Sequence, residues 1–145
     1  MALLGILVAA VSGLLMSVQG VFNTELTKQG GLWMSAAFVQ FTAFATCILA
    51  WLISGRNGSL GAILSIDRKY LLLGGVIGAF ITFTVIKSIS LAGPAKATLV
   101  IVTAQLLTSY LIELFGMFGV EKAALEIKKL IGIALAVGGF VLFNF

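Results

Sequence analysis

Five long apolar stretches follow one another along this chain of 145 residues and leave little between them. A helix needs roughly 20 apolar residues to cross the hydrocarbon core of a bilayer, so five crossings consume about 100 residues. The expected spans are 2–22, 32–53, 70–91, 95–115 and 128–143. The connections are too short to hold a second domain or a folded soluble head. The expected fold is therefore all-α: one integral membrane domain over residues 1–145 with five transmembrane helices. Composition excludes a soluble globule. The chain is 61% hydrophobic and 10% charged with a mean hydropathy of +1.20, against roughly 45–50% apolar and about 25% charged in soluble domains.

Local signals place the ends of the spans. Span 1 is too long for the core of a signal peptide and has no basic flank before it. It is expected to end near Phe22, with Asn23 to Gly31 as a connection that carries Glu25 and Lys28 and breaks at Gly30-Gly31. Trp33 and Trp51 bracket span 2: 51 − 33 = 18 residues, about 27 Å at 1.5 Å per residue, the separation of the two aromatic belts. The longest loop, 54–69, contains Gly55, Gly58 and Gly61, and Asp67 stands where the N-cap of span 3 belongs. Ala92-Gly93-Pro94 is a tight break that puts proline in the first turn of span 4. Segment 116–129 either lies at the interface or leads into span 5. That span reaches crossing length by borrowing the preceding turn, with Lys128 and Lys129 snorkelling.

The chain has no His and one Cys, Cys47. A zinc or Cys-His metal site has no ligands, and no cofactor is expected. No nucleophile and base pair or phosphate-cradling loop is present, so an enzyme is not expected. The net charge of +4 comes from scattered Lys and Arg residues rather than a basic face, which argues against nucleic acid. These residues act instead as topology signals. Arg56, Arg68, Lys69, Lys122, Lys128 and Lys129 lie on the side of the N-terminus, six in all; Lys28 lies opposite, with Lys87 and Lys96 as possible additions. The positive-inside rule puts the N-terminus inside and the C-terminus outside.

Polar groups inside the hydrocarbon are functional candidates because each is costly in lipid. Gln19 and Asn23, spaced i and i+4, share a face of span 1 with Ser12 and Met16. With span 1 centred near Gly13, Gln19 lies about 9 Å and Asn23 about 15 Å toward the outer side. Gln40, Lys87 and Lys96 fall in the same half. Gln105 is central in span 4 and shares a stripe with Ser109 and Glu113 that descends toward the inner face. The expected substrate-binding set is Gln19, Asn23, Gln40, Gln105, Ser109, Lys87 and Lys96. For Gln19 and Gln40 the alternative is interhelical hydrogen bonding. For the two lysines it is snorkelling or a pair with Glu25. Glu113 reads as an interfacial acid facing nearby lysines. Gly74, Gly75 and Gly78 in span 3, and Gly132, Gly138 and Gly139 in span 5, remove side chains along helix faces and are expected to serve helix packing or a dimer contact.

The polar and glycine positions carry a resemblance. Gln19 to Asn23, the run Leu73-Gly74-Gly75-Val76-Ile77-Gly78-Ala79, Gln105-Leu106-Leu107-Thr108-Ser109 through Glu113-Leu114-Phe115-Gly116, and Ile131-Gly132-Ile133 through Gly138-Gly139 resemble the YdcZ-like family of the drug/metabolite transporter superfamily. The resemblance covers nearly the whole chain. It departs in span 2, where Phe and Ala residues replace an expected Gly and Gln40 replaces a small hydroxyl residue, and at Lys96, where the pattern is small and apolar. The resemblance implies half of a ten-helix inverted-repeat plan, with substrate held near the midplane between two oppositely oriented halves. It implies a dimer, either an antiparallel homodimer or a pair with an oppositely oriented relative, in a bacterial inner membrane. An antiparallel homodimer requires dual topology, which the charge bias opposes.

The leading functional expectation is a subunit of a small secondary transporter for small metabolites or drugs, with the path between subunits. No carboxylate lies at mid-membrane, which favours neutral or anionic substrates. The alternatives are a passive channel subunit and an accessory membrane protein without its own substrate.

Overall fold

The computed structural model describes residues 2–144, and among them all regular structure is helical. The elements are α1 (Ala2–Gly30), α2 (Leu32–Ile53), α3 (Leu60–Leu64), α4 (Gly74–Ala92), α5 (Pro94–Phe115) and α6 (Ile127–Asn144), with 3-10 turns at Lys69–Leu73 and Met117–Gly119. Four helical stretches among the described residues are long and apolar enough to cross a membrane: Leu3–Gly30, Leu32–Ile53, Lys69–Ala92 and Pro94–Phe115. The fifth apolar helix, α6, has 18 residues. Few apolar side chains are buried by protein. Ala36, Ile86, Ile89, Ala97 and Tyr110 are, while long rows of Leu, Ile, Val and Phe face outward on every long helix. Such a surface suits a lipid solvent, in which the helices satisfy their own backbone groups.

The chain divides into two units at Leu91/Ala92. In the first, α1 differs from expectation. The helix does not stop at Phe22 but runs on to Gly30, so the supposed connection Asn23 to Gly31 is helical except for Gly31. Residues 23–29 include no Gly or Pro. Glu25 and Lys28 pair at i and i+3 with an N···O distance of 2.6 Å, and Lys28 sits in the last turn, where a cation complements the helix dipole. The centre of α1 moves to Met16, and Gln19 lies about 4.5 Å from it rather than 9 Å.

The hairpin from α1 to α2 turns on Gly31 alone, at φ 73°. α2 ends where Gly55 takes up φ 86° and the Arg56 N–H reaches back to the Trp51 carbonyl at 3.0 Å. That is the six-to-one bond of a Schellman stop, which favours glycine at the left-handed position. Loop 54–69 holds the short α3, capped by Ser59, whose hydroxyl accepts the Ala62 N–H at 3.1 Å. Asp67 is not the cap of span 3. The Lys69 N–H bonds the Asp67 backbone carbonyl at 3.1 Å, and a 3-10 turn over Lys69–Leu73 leads into α4 at Gly74.

The packed part of this unit gathers Gly20, Asn23 and Thr24 of α1, Ser35 and Ala36 of α2, and Ile86 and Ile89 of α4. Small residues let the backbones approach, as membrane helix interfaces require. Trp33 of α2 stacks on Phe83 of α4 with ring centroids 4.6 Å apart.

In the second unit, Gly93 at φ 79° and Pro94 open α5 as expected. Gly116 closes it in the left-handed conformation, and residues 120–126 then form no helix. Residues 116–126 thus form a folded connection rather than an interfacial helix, and the last part of segment 116–129 leads into the fifth apolar helix, α6. The Ala123 N–H bonds the Glu113 carbonyl at 2.9 Å, and the Glu126 N–H points to the Tyr110 hydroxyl at 3.4 Å. Lys129, in the first turn of α6, bridges Glu113 at 3.6 Å and Glu126 at 3.5 Å. It also lies 5.9 Å from the centre of the Tyr110 ring.

Candidate functional site

Along the α1–α2 hairpin the two helices leave a groove of about 720 Å³, within the range of small-molecule sites. α1 contributes Ser12, Met16, Gln19 and Asn23, at the i, i+3 and i, i+4 spacings that keep them on one face. From α2 come Thr42, Thr46 and Cys47. Leu15, Phe22 and Val39 add apolar walls. Thr42 is nine residues from both Trp33 and Trp51. The groove therefore lies midway along α2.

The polar atoms of the groove fall into two kinds. Each hydroxyl donates its proton along its own helix: Ser12 to the Val8 carbonyl at 3.0 Å, Thr42 to Val39 at 2.9 Å and Thr46 to Thr42 at 2.8 Å. The carboxamides of Gln19 and Asn23 make no hydrogen bond to any described residue. Gln19 is exposed to the groove, whereas Asn23 is only 8% exposed. Both carboxamides keep polar atoms open to the groove, since the buried side-chain polar atom without a partner among the described residues is Ser35 Oγ, and such open amide groups can take a ligand, water or partner.

The other expected site residues are placed elsewhere. Gln40 donates from Nε2 to Thr82 Oγ1 at 3.2 Å, joining α2 to α4. Lys87 is exposed on α4, and Lys96 is exposed on α5. The Glu25 carboxylate is held by Lys28, and Lys87 does not pair with it. Gln105 and Ser109 lie on α5 in the second unit, both exposed and without hydrogen bonds to described residues. Glu113 faces Lys129, as expected of an interfacial acid.

The glycines separate similarly. A Cβ at Gly74, Gly75, Gly132, Gly138 or Gly139 would meet nothing within 4 Å, and one at Gly78 would lie 3.6 Å from Gln40 Nε2. None of the first five packs a helix among the described residues. The tight approach is at Gly20, where a Cβ would come within 2.7 Å of Ile89 Cδ1. Gly20 carries no packing signal in the sequence because its nearest glycine in span 1, Gly13, is seven residues away, with none at three or four. Thr42, Thr46 and Cys47 also fall outside the expected set. The i and i+4 spacing of the two threonines is visible in the sequence, but hydroxyl groups in apolar helices commonly turn back onto their own backbone.

No curated protein and no solved structure matches the chain. Residues 4–142 match the model of the family described as "Putative inner membrane exporter, YdcZ". That match leaves out only three residues at each end, and with the apolar helices it shows that the chain is an integral membrane protein belonging to the YdcZ family of inner-membrane exporters, of the drug/metabolite transporter type.

Proposed function

We propose that the chain is one subunit of a small secondary transporter that moves small metabolites or drugs across a bacterial inner membrane. In this reading α6 forms the fifth crossing. Its 18 residues span about 27 Å, with Lys128 and Lys129 at its start to reach the interface. Five crossings make half of a ten-helix inverted-repeat plan, and a second subunit of opposite orientation supplies the other half. The open glycine faces at Gly74, Gly75, Gly132, Gly138 and Gly139 offer close approach to that subunit. By the charge count the N-terminus lies inside.

The observation that carries the reading is the α1–α2 groove, where Gln19 and Asn23 present unpaired carboxamides beside three hydroxyls. Polar groups left open to lipid are costly, and in membrane proteins they face a cavity or another helix. A partner subunit closing over the groove converts it into a path. Gln40, Gln105, Ser109, Lys87 and Lys96 are proposed to line or flank other parts of that path, with Gln40 also tying α2 to α4.

The test is release from proteoliposomes loaded with a defined mixture of uncharged, anionic and cationic aromatic compounds, followed by mass spectrometry. The expected outcome is saturable, selective release, reduced about tenfold or more by Gln19→Leu. Equal release by wild type and Gln19→Leu removes the groove from the path. Flux far above about 10³ per second, the upper range of common turnover numbers, identifies a passive channel instead.

A further inference from the structure

We infer that the α1–α2 groove selects uncharged molecules bearing hydroxyl or amide donors, with Gln19 and Asn23 as specificity-determining residues. This inference deepens the proposed transport reading and rests on it. It follows from a count of donors and acceptors. Since Ser12, Thr42 and Thr46 have each committed their proton to a carbonyl of their own helix, their oxygens offer only lone pairs to the groove. The carboxamides add two more oxygens and two NH₂ groups. Five oxygens with two lone pairs each thus face four N–H donors and the weakly donating Cys47 thiol, an excess of acceptors, so the complementary ligand brings donors of its own.

Charge is the second constraint. No Lys, Arg, Asp or Glu lines the groove. In the groove an anion would have no cationic partner and a cation no carboxylate, and an unpaired charge between apolar helices is expensive. Uncharged hydroxyl or amide groups satisfy the same lone pairs without that cost. Leu15, Met16 and Phe22 flank the polar row and accept a ring or short alkyl segment, with the thioether adapting to its shape. Asn23 supplies the discrimination. The residue is 8% exposed and its carboxamide, which lines the groove, holds no hydrogen bond to a described residue, so a ligand that completes those bonds is favoured over an analogue lacking them.

Cys47 provides a native reporter. It is the sole cysteine of the chain, it is exposed, and it lines the groove. The experiment measures the rate of N-ethylmaleimide addition to Cys47 in the full chain, in proteoliposomes. Competitors are uncharged ring compounds with donors (4-hydroxybenzamide, benzyl alcohol, phenyl glucoside), a cation (benzylammonium), an anion (benzoate) and toluene. The expected result is protection by at least one uncharged donor compound, and none by the ions or toluene at the same concentration. Gln19→Leu, and the gentler Thr46→Val on the exposed side of α2, should each raise the protecting concentration about tenfold. Asn23→Leu should do so more strongly, provided its circular dichroism and thermal stability stay as in wild type.

Equal protection by benzylammonium or benzoate overturns the inference. Equal protection by toluene overturns it too, reducing the groove to an apolar cleft, and so does an unchanged protecting concentration in Gln19→Leu. Release of the same compounds from the same vesicles separates the two readings. Protection without release sinks the transporter and leaves the binding site, whereas release without protection sinks the site and leaves the transporter.

Discussion

Among single residues, the carboxamides of Gln19, Asn23 and Gln40 divide by what they touch. Gln19 and Asn23 face the groove unpaired, while Gln40 donates to Thr82, which passes its own proton to the Gly78 carbonyl at 3.0 Å. Gly78 leaves room for this relay, because a Cβ there would lie 3.6 Å from the Gln40 amide nitrogen. Hydrogen bonds between membrane helices stabilise by about 0.6 kcal/mol on average and about 1.7 kcal/mol at most. Gln40→Leu and Thr82→Val are each expected to lower stability by an amount in that range, and the double variant by no more than the larger single effect, as a double-mutant cycle of unfolding in detergent would report. A Gln40→Leu variant of unchanged stability and lost transport would move Gln40 from the helix contact to the substrate path. The sequence left this choice open for a physical reason: the partner is 42 residues away, and a glutamine in an apolar helix carries no mark of which neighbour it will meet.

Helix against helix, the contrast lies between one glycine that packs and several that do not. Gly20 brings α1 against Ile89 and Val85 of α4, whose side chains lie 2.7 and 3.5 Å from where a Cβ would stand. Leucine there must push apart a buried contact, and overpacking of this kind costs about 1–3 kcal/mol. Gly75 faces open space, so leucine there should leave the subunit's own stability unchanged and instead reduce self-association. Thermal unfolding and cross-linking yield measured on Gly20→Leu and Gly75→Leu check both halves; loss of stability in Gly75→Leu, or none in Gly20→Leu, reverses the assignment. The same contrast shows what was legible. Helix existence followed from apolar runs, and the bounds of α2 and α5 from Gly31, Gly93, Pro94 and Gly116, where backbone chemistry is local. The end of α1 is not legible in the same way: Glu25 and Lys28 read as the edge of a loop, whereas a helix that outruns the hydrocarbon carries charge on its last turns. Half of the groove, Gln19 and Asn23, was visible as a spacing on one helix. The other half, Thr42, Thr46 and Cys47, required knowing which face of α2 meets α1.

For the molecule as a whole, the unresolved tension is between charge and assembly. A dimer of opposed copies needs each chain to insert both ways, yet in the proposed five-crossing topology six Lys and Arg residues fall on one side against Lys28 alone, or against three if Lys87 and Lys96 count. Only basic residues near span ends in short loops direct insertion, and the balance therefore turns on where those two lysines sit. Both are exposed on their helices and neither holds an ion pair among the described residues, so each is free to reach the outer interface along its stem. The effective count is then six against three. Neutralising Arg68 and Lys69, as Arg68→Gln with Lys69→Gln, lowers it to four against three and should enrich the orientation with the N-terminus outside. A cysteine introduced as Asn57→Cys in a Cys47→Ser background, in the loop between α2 and α3, reads this out through an impermeant maleimide applied to intact cells. Labelling of a fraction of chains in the parent, rising in the double-neutral variant, supports two orientations and the antiparallel homodimer. No labelling in either leaves every chain inserted one way, and the second half of the path must then come from an oppositely inserted relative.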